Sequence, residues 1–96
     1  MVRAPIITSA MATSQLIARQ LQDTALRYFL EVVRCGSISE ASARLNVASS
    51  AISRHIAQLE ALLGVSLFDR HARGMVPNAA GELLAVHALR SAHDAE

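Results

Sequence analysis

The sequence predicts a mainly α fold: a winged helix-turn-helix with a short β-hairpin wing and a C-terminal helix suited to dimerisation. Three observations carry that prediction. Apolar residues recur at i, i+3, i+4 and i+7 in successive stretches, most of them bounded by a residue able to cap a helix. Alanine, leucine and arginine dominate while aromatic residues make up only 3%, which favours helix over sheet. Two short β-prone runs, 65–68 and 75–76, flank a basic turn.

A chain of 96 residues suits one small domain with a modest core. The single cysteine, Cys35, excludes an internal disulfide, and its place just before Gly36 suits an inert thiol at a helix end. The net charge is only +1, so bulk charge does not announce a nucleic-acid partner. Its placement says more. All nine basic side chains are arginine, the residue whose planar fork matches phosphates and guanine edges. Arg44, Arg54, Arg70 and Arg73 stand in the middle of the chain against Glu60 and Asp69, making that region locally basic. No apolar run approaches the roughly 20 residues of a membrane span, so a soluble, cytoplasmic domain is expected.

Residues 1–22 contain no acidic side chain and are rich in Ser, Thr and Ala; they read as a flexible extension, in which 15–22 can form a short helix. The helix-turn-helix and its wing occupy 23–77, and a last helix begins in 78–96. Helix one is expected over 24–35, with Asp23 as N-cap and Leu26, Phe29, Leu30 and Val33 as its apolar face. Gly36 closes it. Ser37 and Glu40 have the spacing of a capping box for helix two, and Asn46 suits a left-handed end. Ala41 and Ser42 keep the inner face of helix two small, so that another helix can approach closely.

Helix three is expected over 49–63. Ile52, Ile56, Leu59 and Leu63 form its core stripe, and at about 100° per residue Ser50, Arg54, Ala57 and Ala61 fall opposite. An outer face of Ser, Arg and Ala can lie close against another surface, and the open amides at the helix start favour phosphate. Gly64 stops the helix. The hairpin follows, with residues 69–74 as its basic turn, and Pro77 ends it. Asn78 caps the last helix, in which Gly81 costs about 1 kcal/mol relative to Ala. Leu83, Val86 and Leu89 give that helix more apolar surface than so small a core covers, and a partner chain is the natural cover.

At fixed spacing these residues resemble a known family. The run Leu26, Phe29, Gly36-Ser37-Ile38-Ser39, Ala41, Leu45, Ala51-Ile52-Ser53, Ile56, Leu59-Glu60, Leu63-Gly64, Leu67-Phe68, Arg70 and Ala80-Gly81 is similar to the amino-terminal domain of LysR-type transcriptional regulators. The resemblance covers 24–89. It implies a bacterial winged helix-turn-helix, homodimeric through a linker helix that starts in 78–96, binding partly palindromic double-stranded promoter DNA. A larger effector-binding domain normally follows; the chain contains none of it, and a small-molecule inducer would bind there, so no cofactor is expected in this chain.

The resemblance also implies site residues. Ser49, Ser50, Ser53 and Arg54 would contact the major groove and its phosphates. Arg73 would reach the minor groove from the wing, and Arg70 would hold the wing or a phosphate. Ser39 stands at the start of helix two, where a phosphate can meet open amides. The family usually carries Ser at position 48, Gln at 49 and Pro or Ser at 50; here Ala48, Ser49 and Ser50 stand there. Ala48 removes the usual capping hydroxyl, and Ser49 has a shorter reach to a base. Glu60 reads as a structural anchor or a solvated charge, since a carboxylate repels phosphate.

His55, His71, His87 and His93 have no zinc spacing, and no nucleophile motif or phosphate-binding glycine loop occurs, so an enzyme is not expected. The rival reading is a winged-helix protein-interaction module that dimerises without binding DNA.

Overall fold

The computed structural model describes residues 4–69 and 73–94, with side-chain surroundings for 11–69 and 73–90. Four helices appear among them: α1 (Ala4–Cys35), α2 (Ile38–Leu45), α3 (Ser49–Leu63) and α4 (Ala79–Asp94).

Helix α1 departs from expectation at both its start and its face. It runs without interruption from Ala4, so residues 4–22 are helical and Asp23 lies in the helix interior rather than at a cap. The physical reason is propensity. Between Pro5, which suits a first turn, and Gly36, the run contains no breaker, and the good helix formers Ala, Leu, Met, Gln, Glu and Arg make up about half of it. Amides after Asp23 therefore bond to carbonyls four residues earlier and leave nothing for its carboxylate to cap. The buried face consists of Ala25, Tyr28, Phe29 and Val32, while Leu26, Leu30 and Val33 pack at its edge. The Gly36 amide donates to Val32 O at 2.8 Å and closes the helix with φ +76°.

Helix α2 follows its signals closely. Ser37 Oγ accepts from the Glu40 amide at 3.0 Å, and Asn46 ends the helix in the left-handed region at φ 56°. Ala41 is fully buried between α1 and α3. Ser42 does more than stay small: its hydroxyl donates to Val47 O, and its carbonyl accepts from the Val47 amide at 3.2 Å. These bonds fix the turn that launches α3.

Helix α3 buries Ile52, Ile56 and Leu59 against α1 and α2. Leu63, expected to complete the stripe, is exposed, because the helix ends there and Gly64 turns the chain away. Phe29 and Phe68 meet across the core at a tilt of 56°, with ring centroids 5.5 Å apart.

The wing is slighter than expected. Among the described residues its two strands reduce to one antiparallel bridge, Phe68 with Pro77. The Asp69 amide donates to Val76 O at 2.7 Å and the Asn78 amide to Leu67 O at 3.0 Å. Pro77 has no amide to extend the ladder. The next donor, Met75 N–H, turns away to Gly36 O at 3.0 Å. The fold is nonetheless the mainly α winged helix-turn-helix that the sequence predicts.

Candidate nucleic-acid interface

Helix α3 owes its direction to what holds each end. At its start, Ala48 occupies the N-cap position in extended conformation and offers no capping side chain. Ser49 does not take over that role; it is the first helical residue. The Ala48 carbonyl accepts from the Ala51 and Ile52 amides, so the first turn is formed but its earliest amides meet no capping oxygen. At its end, Gly64 is left-handed at φ 70°, and its amide and that of Val65 both donate to Glu60 O.

The outer side of α3 is open. Ser49, Ser50, Ser53, Arg54, Ala57 and Ala61 are all exposed. Ser50, Arg54, Ala57 and Ala61 fall within an arc of about 60°, opposite Ile52, Ile56 and Leu59. Arg54 is flanked by small side chains, so a partner surface can approach the helix backbone closely. His55, the next residue, is turned inward: its ring meets Tyr28 edge-on at 5.1 Å, and its Nδ1 is buried without a hydrogen-bond partner. It belongs to the packing of α3 on α1.

Ser39 is exposed in the first turn of α2, next to the capping Ser37. Arg73 is exposed in the loop between the bridged residues Phe68 and Pro77. Its neighbour Gly74 has φ +75°, and a Cβ there would stand 2.8 Å from Gly36 O. With the Met75 amide bonded to that same carbonyl, the wing is held against the turn between α1 and α2. Arg73 therefore stands beside a fixed point at Gly36, and Ser39, in the first turn of α2, follows that glycine by three residues. Arg70 and His71 lie outside the described residues. Arg44, counted in the basic middle, lies 4.0 Å from Glu31, which also accepts from Arg34 at 3.1 Å.

Several residues shape this surface that sequence reasoning read only in part. Glu60 Oε2 accepts the Leu67 amide at 2.8 Å and so joins α3 to the wing; of its two readings, structural anchor is the one observed. Asn78 caps α4 through Oδ1, which accepts from the Gly81 amide at 2.8 Å, while its Nδ2 donates to Ser66 O at 2.8 Å. Gly81 has a constraint beyond its helix propensity. A Cβ at that position would stand 2.1 Å from Leu67 O and 3.0 Å from Pro77 Cβ. A glycine in a first helical turn is a signal for close backbone approach, and that is its role here.

The comparisons with known proteins agree with this architecture. The family model described as "Bacterial regulatory helix-turn-helix protein, lysR family" matches residues 24–82. The chain is 43% identical over 60 residues to the HTH-type transcriptional activator AmpR of Rhodobacter capsulatus, covering 62% of this chain and 21% of that protein. It is 40% identical over 63 residues to the nitrogen assimilation regulatory protein nac of Escherichia coli K12, covering 66% and 21%. The chain thus spans about a fifth of the length of these relatives.

Among solved structures, the CbnR DNA-binding domain in complex with DNA superposes with a TM-score of 0.71 at 37% identity, covering 76% of this chain and 84% of that one. The BenM DNA-binding domain bound to benA site 1 DNA superposes with a TM-score of 0.73 at 30% identity, covering 76% and 85%. With its capped two-helix motif, its wing and the matched span, the chain belongs to the lysR family of bacterial regulatory helix-turn-helix proteins.

Proposed function

We propose that this domain binds double-stranded promoter DNA sequence-specifically and serves bacterial transcription regulation, with α3 in the major groove and the wing in the minor groove. The observation that carries this reading is the outer face of α3. Its side chains are short apart from Arg54, and its N-terminal turn is open to an anion. The fold's relatives CbnR and BenM were solved with DNA.

In this reading Ser49, Ser50 and Ser53 contact base edges or phosphates, and Arg54 forks onto a guanine edge or a phosphate. Arg73 enters the minor groove beside the wing, Arg70 braces the wing or a phosphate, and Ser39 meets a phosphate at the start of α2. No inducer or cofactor binds within this domain, and it carries out no catalysis. Its work is in the bacterial cytoplasm, where the DNA is; no described helix is long and apolar enough to cross a membrane.

Two copies associate through α4. Leu83, Val86 and Leu89 are exposed there along one helical face, with Leu83 73% exposed. A twofold pair would set two α3 helices on half-sites about 34 Å or a multiple apart.

Selection of bound sites from random duplex DNA tests the reading in one experiment. The expected result is a partly palindromic consensus with that spacing. Affinity should also fall with salt, with a slope of about 0.9 per phosphate neutralised. Recovery of no consensus, together with salt-insensitive binding or none, would refute it. A stable dimer that ignores DNA would favour the interaction module instead.

A further inference from the structure

The reach of each side chain on the outer face of α3 sets how accurately its backbone must be placed. Arg54 has a long stem and can bring its guanidinium to a partner by rotation about its own bonds. A serine hydroxyl sits at the end of a single Cβ and has no such freedom. Whether Ser49 or Ser50 meets a base edge or a phosphate is therefore decided by where the main chain lies, within the range of about 0.5 Å that a hydrogen bond tolerates.

Core packing does not supply that placement. Ser49 and Ser50 are exposed, Ala51 is only partly buried, and the first buried residue of the helix is Ile52. No side chain caps the helix start, since Ala48 has none to offer. What remains is the turn before it, and the hydrogen bonds that hold this turn converge on Ser42. The Ser42 carbonyl accepts from the Asn46 amide, which ends α2, and from the Val47 amide at 3.2 Å. The Ser42 hydroxyl donates to Val47 O. Val47 is thus held at both its amide and its carbonyl by one residue of α2, and its side chain packs against the core. The Val47 carbonyl and the Ala48 amide share one planar peptide unit, so the orientation passes on to Ala48. Its carbonyl in turn accepts from the Ala51 and Ile52 amides and starts α3.

We infer that Ser42 is a positioning residue for sequence recognition: acting through Val47 O, its hydroxyl sets Ser49 and Ser50 in register with the groove. This rests on the reading that α3 enters the major groove. A capping side chain could not replace Ser42. A cap bonds within its own helix and firms the first turn. The Ser42 hydroxyl ties that turn to α2, and so aims it relative to the rest of the domain. It does so without occupying the first amides of α3, which stay open to a phosphate.

Titration against two duplexes tests this: a consensus duplex selected by the parent chain, and a scrambled duplex of the same length. Ser42→Ala keeps the backbone bonds and removes only the one that fixes the Val47–Ala48 peptide plane, and alanine is the better helix former, so α2 survives. The ratio of the two affinities should fall about tenfold, the effect of about one misread base pair. Affinity for the scrambled duplex should stay within about twofold, because attraction to phosphate needs no serine register. The same substitution in an Ala48→Ser background separates aiming from stability. There the new cap should recover the thermal stability lost with the hydroxyl, yet the ratio should fall by the same factor. An unchanged ratio in Ser42→Ala, or an equal loss on both duplexes, overturns the inference and leaves the groove reading of α3 standing. A ratio that recovers together with Tm in the Ala48→Ser background also overturns it, since Ser42 would then act only by firming the helix start. A parent chain that selects no consensus overturns the inference and the groove reading together.

Discussion

Gly81→Ala puts two effects of opposite sign in competition, and the geometry decides between them. On an exposed helix the substitution stabilises, by about 1 kcal/mol, because alanine loses less backbone entropy than glycine. Here the new Cβ would meet Leu67 O at 2.1 Å, which is 1.3 Å inside the 3.4 Å at which ordinary contact begins. Pro77 Cβ at 3.0 Å and Leu67 C at 3.2 Å close the other directions of escape. The obstructing atoms are backbone, so no side chain can swing aside. The first turn of α4 must retreat by about 1 Å, and the Asn78 N–H to Leu67 O bond, now 3.0 Å, stretches with it. Overpacking of this kind costs about 1–3 kcal/mol, and loss of the bond about 1 kcal/mol more. Set against the gain in propensity, the net is a destabilisation of about 1–3 kcal/mol. In a domain of this size that lowers Tm by roughly 5–20 °C. Thermal unfolding followed by circular dichroism measures it. An unchanged or higher Tm would refute the reasoning, because propensity would then have outweighed a backbone clash.

Four further outcomes are expected. Glu60→Ala leaves the amide of the buried Leu67 without its acceptor and should cost about 1–3 kcal/mol in urea unfolding, whereas Glu60→Gln, which keeps an acceptor oxygen, should cost clearly less; equal losses would point to charge instead of the hydrogen bond. Ala48→Ser restores a capping hydroxyl at a residue already in extended conformation, at φ −67° and ψ 142°, and should raise stability by about 1 kcal/mol, a gain that an unmoved urea midpoint would contradict. Arg54→Ala should weaken DNA binding: a lost phosphate contact lowers the salt slope by about 0.9, a lost base contact relaxes the consensus at one position by about 1–3 kcal/mol, and unchanged affinity and consensus remove Arg54 from the site. Burial and the neighbouring Glu31 carboxylate, to which the thiol donates, hold the Cys35 pKa above the ordinary range, so less thiolate is present at pH 8 and alkylation there should be slower than for a free cysteine; an equal or faster rate would refute that.

The elements legible in the sequence are those whose boundaries rest on one residue's local chemistry. Ser37 caps α2, Asn46 and Gly64 end their helices in the left-handed region, and Asn78 caps α4, each by a bond to a neighbour within a few positions. The inner stripe of α3 was equally plain, since Ile52, Ile56 and Leu59 repeat at helical spacing. Asp23 shows the limit of that method. It is a good cap in isolation, but a cap forms only where the preceding residues leave the helix, and nothing before Asp23 makes them leave. Gly81 and Gly74 were illegible for another reason. Their constraints come from Leu67 O and Gly36 O, which are distant in sequence and adjacent only after folding. At the candidate interface, the exposure of Ser50 and Arg54 follows from periodicity. The inward turn of His55 onto Tyr28 depends on how α3 crosses α1, which no local pattern encodes.

The main chain of Leu67 is where the parts of this domain meet. Its amide is held by Glu60 from the last turns of α3, its carbonyl accepts from the Asn78 amide, and that same carbonyl faces the open side of Gly81 in α4. Its side chain is fully buried. One step along the chain, Phe68 bridges to Pro77 and sets its ring against that of Phe29 of α1. A charged carboxylate accepting a backbone amide is among the stronger hydrogen bonds, and two polypeptide segments seldom approach as closely as the glycine permits here. The relation of α3 to α4 is therefore set through the Glu60 carboxylate and a few ångströms of the Leu67 main chain. In a dimer joined through α4, that short junction fixes the direction in which each outer α3 face points. The spacing of two half-sites would then depend on Glu60, Leu67, Asn78 and Gly81, none of which lies on the outer face of α3.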